Sequence, residues 1–227
     1  MIARLVESRP LSADIRHFVF EAERELDYKP GQFVSLSHDF DGKRITRAYS
    51  TASPPAGARF ELCLNLVEGG RFSPFLFAMR PGETVDMEGP LGTFHLREPV
   101  RDTFLVATGT GIAPYRAMLL AGLPRFSEQR FTLVFGARHE HGLVYRAEFE
   151  ALAARHPQFA AHYALTRPPE GWAGFTGRVQ PLLLDLIGEQ RDADVFLCGM
   201  KAMVDETRAL LKARGFDRKQ IIVEKYD

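Results

Sequence analysis

The chain has 227 residues and carries 29 Lys and Arg against 29 Asp and Glu, a formal net charge of zero. That balance argues against nucleic-acid binding, which draws on a surplus of clustered cations to neutralise phosphates. With 45% hydrophobic and 26% charged residues the composition is globular, and two cysteines exclude both a disulfide framework and a four-cysteine metal or iron–sulfur centre built from this chain alone.

The length suits one large domain or two small ones, at about 100–200 residues each. No apolar run approaches the ~18 residues of a membrane span. The opening Met1-Ile2-Ala3-Arg4-Leu5-Val6-Glu7 lacks the apolar region of a signal peptide, so a cytoplasmic location and no membrane association are expected.

In chain order, the first ~97 residues read as strands. Short runs with period-two alternation or β-branched and aromatic enrichment fall at 2–7, 15–20, 33–36, 45–50, 59–66 and 84–87. Turn signals separate them, among them Lys29-Pro30-Gly31, Asp41-Gly42, Ser53-Pro54-Pro55 and Arg80-Pro81-Gly82. One helix is expected, at 73–79. Many short strands at this spacing predict a small barrel or sandwich.

After residue 96 the period changes. Continuous apolar strands at 104–107, 131–135, 160–165, 194–198 and 221–223 alternate with helices at 112–121, 144–155, 177–187 and 202–214. Such alternation predicts a parallel sheet with right-handed crossovers. The boundary falls in the polar Arg97-Glu98-Pro99-Val100-Arg101-Asp102 segment.

Arg47-Ala48-Tyr49-Ser50 ends the fourth strand. At a period of two, Arg47 and Tyr49 share a face and Ser50 turns away. A guanidinium beside an aromatic plane suits a ligand with a phosphate and a flat ring system, although a surface Arg next to a packed Tyr reads the same way. Further on, Gly69-Gly70-Arg71-Phe72-Ser73-Pro74 opens the helix of this half. Glycines let backbone approach a ligand, and free N–H groups at a helix start attract phosphate. Ser73 is expected as the N-cap with Pro74 at the first helical position, an arrangement that needs no ligand.

Arg-x-Tyr-Ser followed about 20 residues later by Gly-Gly-x-x-Ser resembles the flavin-binding signature of the ferredoxin–NADP reductase superfamily, and the likeness runs over essentially the whole chain. The resemblance implies two domains: an N-terminal antiparallel Greek-key β-barrel that binds FAD, over 1–97, and a C-terminal parallel five-stranded α/β sheet that binds NAD(P), over 102–227. It assigns Arg47 to the flavin pyrophosphate, Tyr49 to packing on the flavin and Ser50 to the neighbourhood of its reactive N5. Gly70 and Ser73 would hold the pyrophosphate, with Val67 and Phe72 beside them. A pyrophosphate-binding helix implies FAD rather than FMN. Gly89-Pro90-Leu91-Gly92-Thr93-Phe94 matches the family's barrel-closing segment.

Thr108-Gly109-Thr110-Gly111-Ile112-Ala113-Pro114 joins the first α/β strand to its helix, where open parallel sheets bind nucleotides. Pro114 stands where the dinucleotide fingerprint has its third Gly. The string resembles the family's loop residue for residue, which implies that Gly109, Thr110, Gly111 and Pro114 take the NAD(P) pyrophosphate and that Thr110 also approaches FAD. Relatives carry Cys-Gly-Pro or a close variant after the fourth strand, near the nicotinamide carbon. Cys198, Gly199 and Met200 are assigned there, with Met200 a departure. A free cysteine at a strand end is otherwise commonly a small buried hydrophobe.

Arg138, Thr166, Arg167 and Arg178, near strand ends, match cations and hydroxyls that clamp the 2′-phosphate in NADP-using relatives. NAD-using reductases share parts of that pattern, and Arg178 also suits an exposed first helical turn; NADPH is the expected donor. Glu224 and Tyr226 match a carboxylate and an aromatic residue that relatives place near the flavin.

The activity so implied is oxidation of NADPH by FAD, with Ser50, Cys198 and Glu224 as catalytic residues, and delivery of single electrons to a separate ferredoxin- or flavodoxin-type acceptor. A fused ferredoxin domain would need four cysteines. Acidic acceptors single out Lys43, Arg44, Arg71 and Arg80 as a basic docking rim, or as ordinary surface charge. The same fold also serves NAD(P)H:flavin or ferric reductases with a small diffusible acceptor, and flavin-binding electron-transfer subunits of larger complexes. A monomer is expected. His139-Glu140-His141 has no third ligand in reach, so no metal is expected; Ser50 and Ser73 have no paired His for nucleophilic catalysis.

Overall fold

A computed structural model of the protein describes residues 1–226, which form two compact units: Met1–Leu96 with Ala113–Ala121, and Arg97–Ile112 with the residues from Gly122 onward. The first contains strands β1 (Ile2–Pro10), β2 (Ile15–Ala22), β3 (Phe33–Phe40), β4 (Lys43–Ser50), β5 (Arg59–Asn65) and β6 (Thr84–Leu91). They make one antiparallel sheet in the order β4-β3-β6-β1-β2-β5, a Greek-key arrangement. A bridge between Thr51 and Leu62 brings the outermost strands together as a barrel.

Period-two alternation points Leu5, Phe18, Phe20, Leu36, Phe60 and Leu62 inward, and all six are fully buried. Phe20 stacks between Phe18 and Phe60, with centroids 6.1 and 5.7 Å away. Each such side chain contributes about 1.5–3 kcal/mol on leaving water. Helix α1 (Phe72–Ala78) adds Phe72 and Leu76 to the same core. The β3–β4 hairpin turns on Asp41 and Gly42, with φ of 51° and 78°, the two-residue geometry to which Asp-Gly is suited.

Helix α2 (Ala113–Gly122) follows the 97–102 segment in sequence, yet its residues Ala113–Ala121 group with the barrel. The Arg116 guanidinium donates to the Ala52 carbonyl at 2.6 Å and to Glu61 at 2.5 Å, and the Tyr115 ring lies 6.0 Å from Phe94. Gly31 leaves the space this packing needs: a Cβ there would sit 2.2 Å from the Phe94 carbonyl oxygen and 2.4 Å from Met118 Cε. Every residue from 113 to 119 is buried, so the helix has no solvent-exposed face in this stretch, and its residue pattern does not say which unit it packs on.

The second unit contains a parallel sheet of β7 (Thr103–Thr108), β8 (Phe131–Ala137), β9 (Phe159–Leu165), β10 (Phe175–Thr176), β11 (Asp194–Met200) and β12 (Ile221–Tyr226), ordered β10-β9-β8-β7-β11-β12. Helices α3 (Arg146–Arg155), α4 (Val179–Ile187) and α5 (Lys201–Ala213) supply crossovers. The expected five strands become six, because Phe175 and Thr176 pair with Ala164 and Leu165 at the sheet edge. Two residues inside a Pro/Gly-rich loop carry no readable period. No helix among the described residues is long and apolar enough to cross a membrane.

Candidate functional site

On the barrel, β4 places Ile45, Arg47 and Tyr49 on one face, and Ile45 and Tyr49 pack against the core. Arg47 is exposed and donates from Nη1 to the Thr46 carbonyl at 2.8 Å, which leaves guanidinium donors for a phosphate. Burial pushes the Tyr49 phenol well above its ordinary range, so it stays protonated, and its ring lies 6.2 Å from that of Phe72. Ser50 ends the strand opposite Phe33 and is buried.

Val67 is 51% exposed, an unusual position for a β-branched apolar side chain, and only Glu68 separates it from the glycine pair. The Gly70 N–H donates to the Val67 carbonyl at 3.0 Å. A Cβ on Gly70 would meet that same oxygen at 3.1 Å. The expected cap is corrected here: α1 starts at Phe72, with Arg71 as N-cap, and Ser73 and Pro74 lie inside the helix. The Ser73 hydroxyl is engaged elsewhere, accepting the Val67 N–H at 2.9 Å and so tying the 67–70 loop to the helix. The structure thus brings Val67, Gly70, Phe72 and Ser73 into one loop–helix junction, joined to Arg47 and Ser50 through the Tyr49–Phe72 contact. An exposed apolar side chain, a bare glycine backbone and an exposed guanidinium fit a flavin with its phosphates.

In the parallel sheet, β8, β9 and β10 lie to one side of β7, and β11 and β12 to the other. The carboxyl ends of β7 and β11 therefore flank the topological switch point, where open α/β sheets form a crevice. A single turn of 3₁₀ helix, Gly109–Ile112, leaves β7, with Thr110 half-buried and Pro114 buried in the first turn of α2. The turn after β7 lies directly against the last residues of β11, and the ends of the two strands touch. A Cβ on Gly111 would lie 2.4 Å from the Cys198 carbonyl oxygen, and one on Gly199 would lie 2.4 Å from Thr108 Oγ1. That Thr108 hydroxyl is buried and has no hydrogen-bond partner among the described residues. A cradle that only glycine permits, with an orphaned polar atom in it, fits a nucleotide. Thr108 lies outside the residues assigned from sequence; the one signal there is a hydroxyl on the last residue of a buried strand.

Register pairs Cys198 with Glu224 and Met200 with Tyr226 across β11 and β12. Cys198 is fully buried, and burial foremost, with the nearby Glu224 charge, raises its thiol well above the ordinary value, against a hydrogen bond from Tyr226. The thiol is therefore neutral at physiological pH. Glu224 and Tyr226 are half-buried, and Met200 is exposed.

Arg138, Thr166 and Arg167 are exposed at the ends of β8 and β9. Thr166 N–H donates to the Ala137 carbonyl at 3.1 Å and Arg167 N–H to that of Arg138 at 2.8 Å, so the two arginines share one edge. Arg178 is the N-cap residue of α4, and its charge is answered by Glu206 at 3.1 Å. On the barrel, two members of the expected basic rim are likewise compensated: Arg44 pairs with Asp39 and Asp86, and Arg71 with Asp41.

A family model for the oxidoreductase FAD-binding domain matches residues 2–96, and one for the oxidoreductase NAD-binding domain matches residues 105–209. Ferredoxin–NADP reductase B of Sorangium cellulosum is 38% identical, with the match covering 99% of this chain and 97% of that protein. The toluate 1,2-dioxygenase electron transfer component of Pseudomonas putida is 33% identical over 89% of this chain, which spans 60% of that longer protein. Among solved structures, the Amycolatopsis cytochrome P450 reductase GcoB superposes with a TM-score of 0.90 at 27% identity, covering 98% of this chain and 68% of that one. A Neisseria gonorrhoeae ferredoxin NADP+ reductase with bound FAD and NADP shares the fold, with a TM-score of 0.85 at 22% identity over 99% of this chain and 98% of that one. Two cofactor domains in this order, with a relative matched along nearly its whole length, establish that the chain belongs to the ferredoxin–NADP reductase superfamily of oxidoreductases.

Proposed function

We propose that the protein oxidises NADPH through bound FAD and passes electrons to a separate ferredoxin- or flavodoxin-type protein. The observation that carries this reading is the 38% identity to a ferredoxin–NADP reductase along nearly the whole of both chains. Bound FAD supplies the ability to take two electrons from a nicotinamide and release them singly. The two cysteines of this sequence cannot ligate a four-cysteine cluster, so these residues supply no iron–sulfur relay of that kind.

The protein's own contribution is to bind and orient. Arg47 holds the flavin pyrophosphate, Gly70 and Ser73 sit against it, Tyr49 packs on the ring system and Ser50 lines the reactive edge. Gly109, Thr110, Gly111 and Gly199 let backbone approach the pyridine nucleotide, and Thr108 offers it an unsatisfied hydroxyl. Cys198 meets the nicotinamide as a neutral thiol. Arg138, Thr166 and Arg167 present two cations and a hydroxyl from adjacent strand ends, a set suited to a 2′-phosphate.

Anaerobic mixing of the purified yellow protein with NADPH or NADH tests the reading. Bleaching of the flavin is expected with both and faster with NADPH, and Arg167→Ala should erase much of the difference. Arg47→Ala should purify colourless. Absence of a flavin from the native protein, or faster bleaching by NADH, would refute the cofactor assignment. Turnover with free flavin but not with ferredoxin would point to a reductase of small acceptors.

A further inference from the structure

The four residues after Tyr49 form a buried segment stitched inward. Thr51 donates both its N–H and its hydroxyl to the Gln32 carbonyl, at 2.9 Å each. Ala52 N–H donates to the Glu61 carbonyl at 2.7 Å, and the Tyr28 hydroxyl donates to the Ser53 carbonyl at 3.1 Å. Ser50, Thr51, Ala52 and Ser53 are all buried. Into this neutral network α2 inserts a charge: Arg116, with its side chain 11% exposed, reaches the Ala52 carbonyl and the Glu61 carboxylate with a single Nη1.

Stability alone is a poor reason for such an arrangement. Taking a guanidinium out of water is expensive, and well-packed hydrophobic residues usually hold a helix on a sheet as firmly as a buried ion pair does. What the guanidinium supplies beyond packing is a strong, directional hydrogen bond to one particular carbonyl. That carbonyl lies two residues beyond Ser50, the position assigned to the reactive edge of the flavin.

We propose that Arg116 is a positioning residue, which fixes the Ala52 carbonyl against Glu61 and thereby holds the Ser50–Ser53 segment in the shape that flavin binding requires. The inference rests on the flavin reading above and adds to it a residue outside the motifs, on a helix that follows the nucleotide loop in sequence. Arg116 acts through Ala52. Lysine would keep the charge but, as a flexible point charge on a different stem, would restore that geometry only in part.

The test compares Arg116→Gln, Arg116→Lys and Leu119→Ala, the last removing a fully buried side chain from the same helix without touching the Ala52 contact. Each is read by FAD titration of the apoprotein, by the visible circular dichroism of flavin at saturation and by thermal melting. Arg116→Gln is expected to bind FAD at least about tenfold more weakly, as loss of a hydrogen bond to a charged group implies, and to alter the flavin spectrum. Arg116→Lys should fall between it and the native protein. Leu119→Ala should lower the melting temperature but leave FAD affinity and spectrum native. If Arg116→Gln does not accumulate as folded protein, Arg116→Lys decides by the same readings. Native affinity and spectrum in the Arg116 variants, or equal weakening by Leu119→Ala, would overturn the inference alone. A native protein that binds no flavin would overturn the functional reading and this inference with it.

Discussion

Gly199 has room for a hydrogen and nothing larger. Its φ is +139°, and a Cβ would lie 2.4 Å from the Thr108 hydroxyl and 2.9 Å from the Thr108 carbonyl oxygen. Gly199→Ala is therefore expected to push the ends of β7 and β11 apart, at a cost of about 1–3 kcal/mol, and to weaken NADPH binding. Gly215→Ala is the control, since its φ of +88° is strained but its Cβ would meet nothing within 4 Å. Melting curves and nucleotide titration read the two effects; native NADPH affinity in Gly199→Ala would mean that the loops are no cradle. At this scale the sequence was legible where a residue type is rare in its setting. Cys198-Gly199 stood out as a pair after an apolar strand, and so did the glycines of the 109–111 loop. Thr108 did not, because a threonine at a strand end is ordinary until burial strips it of partners.

At the scale of elements, alternation and apolar runs placed the major strands and helices of both units, and they failed where an element's surroundings decide its role. Ser73 reads as a cap, yet its hydroxyl holds the Val67 N–H; the packing of α2 residues Ala113–Ala121 with the barrel unit has no sequence signal of its own. Strand β2 has a similar hidden feature. His17 is 3% exposed, beside Glu61 at 3.5 Å, and burial first, then Arg9 and Arg116, lowers its pKa to about 4. The imidazole is thus neutral, and its approach to Glu61 is no ion pair above that pH. In the unfolded chain the group titrates near 6.5. Between about 4 and 6.5 the unfolded chain binds more protons than the folded one, so stability present above pH 6.5 is lost as the pH falls through that window. The full loss is about 3 kcal/mol. His17→Gln should flatten the dependence, which urea midpoints at several pH values across the window measure for native and variant. A native midpoint that does not fall with acid, or falls equally in the variant, would contradict a buried neutral His17.

For the molecule as a whole, charge is balanced at two levels: 29 cations face 29 anions, and two arginines of the expected docking rim, Arg44 and Arg71, already have carboxylate partners. Long-range steering depends on uncompensated charge. Where it operates, it raises association rates by about 10- to 1,000-fold and falls steeply with ionic strength. A chain with no net charge, whose Arg44 and Arg71 are engaged within their own barrel, should instead meet an acidic acceptor with little steering. The rate of reduction of ferredoxin, followed under anaerobic conditions, is therefore expected to fall less than about tenfold between low and high salt. Asp41→Asn removes the carboxylate from Arg71, and so should raise both the low-salt rate and its sensitivity to salt. Asp86→Asn should act through Arg44 in the same direction but more weakly, because Asp39 still holds that guanidinium. A steep salt dependence in the native protein would show that an uncompensated patch steers the acceptor. Loss of rate in Asp41→Asn would show that Arg71 serves the protein better as half of a pair than as a free cation.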